Sequence, residues 1–338
     1  MTLAVCVRHS LWGAIGLPIW SWLYVRKVDV EKLPPETKWT FQTKLVQAAE
    51  RVLRAARPIQ AAGKRVWAVA DGAYAKRPFV RPLMEADITV VGRLRKDAAL
   101  HDVPPVVKHP GHGRPRKYGV NRISLAKRAA PPQGWTEVTC SVYEKDVIKT
   151  TKTFLATHET FGGTIRVVII KEDHGPHFFY RTDIHSTVRE IIEAFVDRST
   201  IEQVFHDVKE VWGAGQQQVR NLWSNIGCWH LNLWLFTLTE LWAWPWKAKP
   251  LTHRDDSPGD TLDRRPSHAD KRKALQTQCL PNEFTPQTAA PPSPEKSATC
   301  SNACSDSRCK REKCPKVQIS VTSRISDIES GTGIKSTS

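Results

Sequence analysis

The distribution of tryptophan divides the chain into a part that can bury a core and a part that cannot. All 13 tryptophans of the 338 residues lie between Trp12 and Trp246, and Phe284 is the only Phe, Tyr or Trp after that point. Pro, Ser, Thr, Lys and Asp accumulate there, so little apolar surface is available to offset the loss of chain entropy on folding. We therefore expect residues 247–338 to be mostly disordered, with a short helix around His268–Cys279.

Apolar runs separated by turn signals predict an α/β fold for the preceding part. Val66–Ala70 has the composition of a buried strand, and a helical run at Lys76–Glu85 and a strand at Asp87–Arg95 follow it. The two strands should pair side by side. Further strands are predicted in an amino-terminal hairpin and in the middle of the chain: Thr2–Arg8, Leu17–Arg26, Thr153–His158, Thr164–Lys171 and His177–Asp183.

The charge of the chain favours a polyanionic partner. The formal net charge is +16 and the pI is about 9.6, whereas 40% hydrophobic and 25% charged residues are ordinary for a soluble globular protein. An excess of Lys and Arg favours polyanions through counterion release, although ribosomal, membrane-surface and merely soluble proteins are also basic. The apolar runs Leu11–Tyr24 and Cys228–Trp246 are short or interrupted, so we interpret them as a core strand and an amphipathic helix and predict a cytoplasmic protein without membrane contact.

A helix predicted from residue 195 to residue 211 carries an unusual combination of side chains on one face. At 100° of rotation per residue, four residues fall within about 60° of one another: Phe195, Arg198, Glu202 and Lys209. A carboxylate between two cations suits metal-assisted phosphate chemistry, and a solvated face of charge pairs is the alternative. A separate apolar stripe should dock this helix on a core: Ile201, Val204, Val208 and Val211.

A second acid directly follows the buried strand. Asp71 begins the stretch Asp71-Gly-Ala-Tyr74, where a turn separates the strand from the next helix. Ligands of open α/β sheets bind at the carboxyl ends of strands, so an acid in this position can reach a metal ion. A helix N-cap or a turn residue is the alternative interpretation.

The charged helix resembles the signature of one large group of bacterial insertion-sequence DDE transposases. That group carries Tyr-x2-Arg-x3-Glu-x6-Lys, and this chain has Phe195-x2-Arg198-x3-Glu202-x6-Lys209. The stretch at Asp71 and the continuation over residues 213–221 are similar to the same group. The resemblance implies an RNase-H-like mixed sheet with flanking helices, interrupted by a β-rich insertion. With the tail expected from composition, the chain divides into four parts: a first part of the core without its first strand (1–95), the β-rich insertion (96–185), a second part of the core with the glutamate helix (186–246) and the mostly disordered tail (247–338).

The resemblance also implies an activity. A transposase of this group hydrolyses a phosphodiester at the transposon end and joins the freed 3′ hydroxyl to target DNA, with Mg²⁺ or Mn²⁺ as cofactor. Asp71 and Glu202 would be the metal ligands, Arg198 and Lys209 would hold phosphates, and Phe195 would pack where the family's tyrosine contacts DNA. The expected partners are double-stranded DNA, as transposon end and as target, and further copies of the chain on DNA, with the protein associated with the nucleoid.

The first acid of the DDE triad is missing from its expected place. The resemblance puts it on the first strand of the sheet, upstream of the hairpin, and no aspartate precedes Asp29, which follows the hairpin. We therefore expect an amino-terminally truncated transposase with little or no cleavage activity of its own. Two alternatives are a catalytically dead remnant that binds DNA or an intact transposase, and a pseudogene product whose sheet exposes an unpaired edge.

Residues of the β-rich insertion are further candidates for contact with DNA. Arg114, Arg116 and Lys117 lie in a Gly- and Arg-rich loop that would bind phosphates, and a solvated basic loop is the alternative. Trp135 resembles the aromatic residue of the insertion that stacks on a flipped base, although a core tryptophan at a strand edge has the same pattern.

The eight cysteines do not predict a metal site. Four of them have the spacing Cys300-x3-Cys304-x4-Cys309-x4-Cys314, which lacks the Cys-x2-Cys pairs of structural zinc sites, so zinc is the less favoured alternative. The others are isolated along the chain, as is typical of a reducing cytoplasm: Cys6, Cys140, Cys228 and Cys279.

Overall fold

An eleven-stranded sheet with helices on both faces forms the fold. The computed structural model describes residues 1–33, 35–105, 116–246, 264–284 and 317–322. The strands are β1 (Thr2–His9), β2 (Gly13–Ser21), β3 (Val66–Ala70), β4 (Thr89–Arg93), β5 (Leu100–His101), β6 (Arg122–Ile123), β7 (Thr136–Val142), β8 (Lys145–His158), β9 (Gly163–Ile170), β10 (His177–Arg181) and β11 (Val317–Thr322). The helices are α1 (Lys27–Val30), α2 (Lys44–Ala61), α3 (Arg77–Glu85), α4 (Leu125–Ala129), α5 (Val188–Asp197), α6 (Thr200–Glu210), α7 (Leu222–Ala243) and α8 (His268–Phe284).

The sheet is mixed, as the resemblance implied. Its strand order is β2-β1-β11-β3-β4-β10-β9-β8-β5-β6, and β7 pairs with β8 outside this path. The strands β11, β3 and β4 run parallel to one another, and all other pairs are antiparallel. Strands from residues 96–185 therefore continue the sheet that contains β3 and β4.

The core lies on both faces of the sheet because β3 alternates its side chains between two sets of helices. Val66, Ala68 and Ala70 belong to a cluster with residues of α2 and α3. Trp67 and Val69 face the other way and pack with residues of α5. A strand that is buried on both faces needs apolar residues at every position, which is the composition seen in the sequence.

Most predicted strands are present. The strand at Val66–Ala70 has the predicted bounds, and β4 pairs beside it as expected; the pairing is parallel. The amino-terminal hairpin forms as β1 and β2, and β8, β9 and β10 include most of the three predicted runs in the middle of the chain. The apolar stretch at Cys228–Trp246 belongs largely to α7. Within the described part of the chain, no helix is long and apolar enough to cross a membrane.

The prediction of one continuous helix from residue 195 is wrong. The structure has two helices, since α5 ends at Asp197 and α6 begins at Thr200. The Thr200 hydroxyl donates a hydrogen bond to the Asp197 carbonyl at 2.8 Å, and the Ser199 amide donates to the Val196 carbonyl. Side-chain hydrogen bonding to the backbone of the preceding turn competes with regular helical geometry, which accounts for the break.

The carboxyl-terminal part also departs from expectation. The predicted helix around His268–Cys279 is present as α8, but β11 lies in a segment that we expected to be disordered. It pairs with β1, so the free edge expected beside the hairpin is occupied. Composition failed to reveal β11 because a strand of six residues gains its stability from neighbouring strands, not from its own apolar surface.

Candidate functional site

Asp71 lies directly after β3, at the position predicted for a metal-binding acid. Its Oδ1 accepts a hydrogen bond from the Gly72 amide at 2.7 Å, so it caps the short 3₁₀ turn Gly72–Tyr74 as the alternative interpretation proposed. The residue is nevertheless exposed, so its carboxylate is accessible. A Cβ on Gly72 would lie 3.2 Å from the Arg93 carbonyl oxygen, which favours glycine where the turn passes β4.

The register of four neighbouring strands shows what else lies at this end of the sheet. Ala70 of β3 pairs with Val321 of β11, Val321 with Leu3 of β1, and Leu3 with Trp20 of β2. This row ends next to Asp71. We refer to the edge beyond it as the Asp71 end of the sheet.

Helix α6, which carries Glu202, packs over β2. Near its start, a Cβ on Gly16 would lie 2.8 Å from the Thr200 hydroxyl, so glycine permits this close approach to the middle of the strand. Further along, the ring of Phe205 stacks with Trp229 at a centroid distance of 6.1 Å, and Trp229 Nε1 donates to the Ser21 hydroxyl at 2.9 Å. Because Ser21 lies at the Asp71 end of β2, α6 extends toward that end.

Glu202 and Arg198 form an ion pair at the junction of α5 and α6. Arg198 Nη2 lies 3.6 Å from Glu202 Oε1, and the Arg198 side chain is 12% exposed. The guanidinium carbon lies 5.1 Å from the centroid of the Phe195 ring, and that ring packs edge to face on Phe179 at 4.7 Å. The structure thus brings three of the predicted site residues together, with Phe195 on the core side of Arg198.

Lys209 lies on the same face of α6 as Glu202. The two residues are seven positions apart, which corresponds to about 20° around a helix. The predicted apolar stripe docks this helix, since Ile201, Val204 and Val208 are buried. Val211, the fourth member predicted, is only half-buried.

Buried charge at the α5–α6 junction is balanced by Arg8. Burial raises the pKa of Asp197, and the Arg8 guanidinium, with Nη2 2.8 Å from Asp197 Oδ2, opposes that rise. Burial, reinforced by the Asp197 charge, raises the pKa of the neighbouring Cys6 thiol to about 12. Cys6 is therefore a protonated core residue, which agrees with the inert role predicted for it.

The acids at the site are chemically suited to a hard divalent cation, but they are few. Carboxylate oxygens are the ligands that Mg²⁺ prefers. Asp71 is accessible at the end of β3, and the Glu202 side chain is 36% exposed. Among the residues that the structure describes, no group of three or more His, Cys, Asp or Glu side chains is gathered as a metal site. The assignment of Asp71 and Glu202 as metal ligands stays a prediction.

The candidates in the middle of the chain have different environments. Arg116 and Lys117 are exposed, whereas Arg114 lies outside the described residues. Trp135 is half-buried at the edge of the core, its Nε1 donates to the Pro131 carbonyl at 3.1 Å, and Lys152 Nζ lies 4.6 Å from its ring centroid. The role of Trp135 in contact with DNA stays a prediction.

The four isolated cysteines are free thiols, with Cys6 and Cys140 buried. The cluster that begins at Cys300 lies outside the residues described.

A basic surface on α2, above the half-buried rings of Trp20 and Tyr24 and the buried ring of Trp22, was missed in the sequence. Three cations of α2 lie over aromatic rings, and these rings belong to the carboxyl end of β2 and to the residues that follow it. Trp20, one of them, lies at the Asp71 end of the sheet, because it belongs to the row of paired strand residues described above. The signal was the spacing of the cations at i, i+7 and i+10, which puts them on one helical face. The pairs are Lys44 with Tyr24 at 4.8 Å, Arg51 with Trp22 at 5.1 Å and Arg54 with Trp20 at 5.0 Å, each from cation to ring centroid.

Comparison with known families adds one finding. The family described as a transposase DDE domain matches residues 42–238, which is more than half of the chain. The matched segment contains Asp71, Glu202 and their surroundings. Among curated proteins, none matches the sequence.

Proposed function

This chain belongs to the transposase DDE domain family, and on that premise we propose that it acts on DNA phosphodiesters through Asp71 and Glu202. Membership implies an enzyme of DNA transposition, and DDE domains generally use divalent metal ions. The observation that carries the proposal is the joint placement of Glu202, Arg198 and Lys209 on and beside a helix that extends toward the Asp71 end of the sheet.

The same premise supports an RNase-H-like core. The antiparallel hairpin of β1 and β2 and the parallel pair of β3 and β4 flank one central strand, and helices cover both faces. The resemblance to bacterial insertion-sequence transposases with the Tyr-Arg-Glu-Lys helix implies a first strand with an acid beside the hairpin. Here β11 takes that place, and its sequence, Val-Gln-Ile-Ser-Val-Thr, contains no acid.

Four side chains of the chain would have different roles at a bound phosphodiester. Asp71 and Glu202 would hold Mg²⁺ or Mn²⁺, which when bound supplies Lewis-acid stabilisation of the charge on the phosphate. Lys209 would bind a phosphate oxygen as a point charge. Arg198 holds the Glu202 carboxylate from one side and would offer its remaining donors to phosphate, so it positions the acid as well as the substrate.

The α2 surface lies on the opposite face of the sheet from α6, so it would contact DNA where a duplex crosses the Asp71 end from one face to the other. Trp20 is separated from Ala70 by three strand spacings, or about 14 Å, which is within the reach of one duplex across the sheet end. Lys44, Arg51 and Arg54 would pair with phosphates along that path, and the net charge of +16 would add non-specific attraction.

A second candidate function is DNA binding without cleavage. It is favoured by β11, which puts no carboxylate beside β3, and by the lack of a third gathered acid among the described residues. An in-line displacement assisted by two metal ions requires ligands enough to hold both ions. The chain would then bind transposon ends or join an intact transposase on DNA.

Two measurements on the full-length chain test the proposal and separate its two forms. The first is the salt dependence of binding to a DNA duplex by wild type, Arg54→Gln and Arg189→Gln. Arg54→Gln should lower the slope of log affinity against log salt by about one unit, because one phosphate contact is lost. Arg189, an exposed arginine of α5 paired with Glu193, is the matched control and should leave the slope unchanged.

The second measurement is cleavage of supercoiled plasmid with Mg²⁺ or Mn²⁺. Cleavage by wild type that Glu202→Gln abolishes and Glu210→Gln preserves would establish the enzyme, since Glu210 is an exposed acid of the same helix. Salt-dependent binding with no cleavage would establish the second form. Absence of both DNA binding and cleavage would refute the proposal.

A further inference from the structure

The strand β11 is internal to the sheet although it comes from the far end of the chain. Five of its residues pair with β1 in antiparallel register, from Gln318 with Cys6 to Thr322 with Thr2. Five pair with β3 in parallel register, from Val317 with Val66 to Val321 with Ala70. The backbone donors and acceptors on both sides of β11 are therefore directed at neighbouring strands.

Both faces of β11 are in contact with the core. Helix α2 contacts it on one face. On the other, Gln318 is 9% exposed and its Nε2 donates to the Ala194 carbonyl of α5 at 2.6 Å. Cys6, the residue of β1 that pairs with Gln318, also faces α5, because its Sγ lies 3.7 Å from the Asp197 carbonyl oxygen. Strand register and side-chain contacts thus agree on where β11 lies.

The slot that β11 fills is built by residues that are distant from it in sequence. β1 and β2 form a hairpin, and β3 and β4 are linked through α3, so each wall of the slot is a local unit. Without an occupant, β1 and β3 would face each other with unpaired backbone groups, which is the arrangement by which proteins bind an extended peptide through strand addition. Residues 285–316 connect α8 to β11.

We propose that the slot between β1 and β3 is a binding site for an extended peptide, and that its ligand is the chain's own segment Val317–Thr322. Main-chain hydrogen bonds to both walls provide the binding, and the Gln318 amide, bonded to Ala194, selects the register. A register shifted by one residue would turn Gln318 toward α2 and leave its amide without this acceptor. The inference does not depend on the chemistry proposed for DNA.

The placement is tested by a disulfide in the full-length chain. Gln318→Cys creates a thiol directly opposite the native Cys6, so treatment with a copper oxidant should link positions 6 and 318, detected by peptide mass spectrometry. The reaction should be slow at neutral pH, since the Cys6 thiol is protonated there. The control, Gln318→Cys with Cys6→Ser, should not form this link. Failure of the link in a folded Gln318→Cys protein and also in a folded Ala4→Cys, Ser320→Cys protein, which keeps the Gln318 amide and pairs the two cysteines in the same register, would overturn the proposal.

The binding function is tested by exchange with a peptide. Ser320→Pro in the full-length chain removes an amide donor and should loosen β11. A fluorescent peptide of residues 315–324 should bind this variant roughly tenfold or more tightly than wild type, whose own strand competes at high effective concentration. The same peptide with proline at 320 should bind neither protein. Equal binding of the peptide to the two proteins, or no binding to a folded Ser320→Pro variant, would refute a strand-binding site. If the Ser320→Pro variant does not fold, the disulfide experiment alone tests the proposal.

Discussion

A buried ion pair between α7 and α8 gives a stability prediction whose size follows from its geometry. Glu240 and Lys271 are 3% and 4% exposed, and Glu240 Oε2 lies 2.5 Å from Lys271 Nζ. Burial opposes ionisation of Glu240, but the hydrogen bond from His268 and the Lys271 charge together lower its pKa. Burial lowers the pKa of Lys271, and the charge and hydrogen bond of Glu240 oppose that fall, so the contact between the two groups favours the ionised form of both.

His268 fixes the pattern of protons around this pair. The Trp212 indole, which can only donate, is 2.7 Å from His268 Nε2, so that nitrogen accepts. His268 is therefore neutral with its proton on Nδ1, which donates to Glu240 Oε1 at 2.7 Å. Glu240 thus accepts from two buried partners, and its removal would leave the Lys271 charge without a counterion.

We expect Glu240→Gln to lower the free energy of unfolding by about 3–5 kcal/mol, which is the usual cost when one partner of a buried ion pair is removed and the other charge stays buried. The double variant Glu240→Gln with Lys271→Met should recover most of that loss, because the uncompensated charge is gone. Urea unfolding followed by tryptophan fluorescence reports on the region directly, since Lys271 lies 4.1 Å from the Trp12 ring centroid. A cost below about 1 kcal/mol, or a double variant no more stable than the single one, would refute the reasoning.

Two further predictions concern the core beneath the sheet. Burial lowers the pKa of His158 from 6.5 to about 4, so protonation of this residue at low pH favours the unfolded chain. The contribution of His158 to the free energy of unfolding should be complete above pH 6.5, and it should fall by about 2–3 kcal/mol as the pH approaches 4. Urea unfolding at both pH values should show this loss in wild type and less of it in His158→Gln. Phe79 is fully buried and packs against Tyr74, so Phe79→Ala should lower the free energy of unfolding by about 3–5 kcal/mol. A change near zero in the same urea unfolding experiment would mean that α3 does not pack as described.

The local parts of the fold could be predicted from the sequence, and the long-range parts could not. Val66–Ala70 is apolar at every position and is followed by a turn, so its strand and the acid after it were visible without a structure. The position of β11 was not, because its stability comes from β1 and β3 and not from its own residues. The break between α5 and α6 falls where the Thr200 hydroxyl donates to the Asp197 carbonyl, a side-chain contact that apolar periodicity does not reveal.

The candidate site was predicted in composition but not in geometry. Spacing put Glu202 and Lys209 on one helical face, and the structure keeps them there. The same spacing put Phe195 on that helix, whereas it lies on α5 against Phe179. The α2 surface was missed because its aromatic residues come from another part of the chain, and only the fold brings Trp20 under Arg54.

Binding of Mn²⁺ to the full-length chain, followed by electron paramagnetic resonance, tests the central claim most directly. If Asp71 and Glu202 hold one divalent cation, then Asp71→Asn and Glu202→Gln should each abolish or strongly weaken a site that Glu210→Gln leaves intact. Addition of duplex DNA should tighten that site in wild type, because phosphate oxygens supply further ligands. Mn²⁺ binding that neither Asp71→Asn nor Glu202→Gln changes would contradict the account.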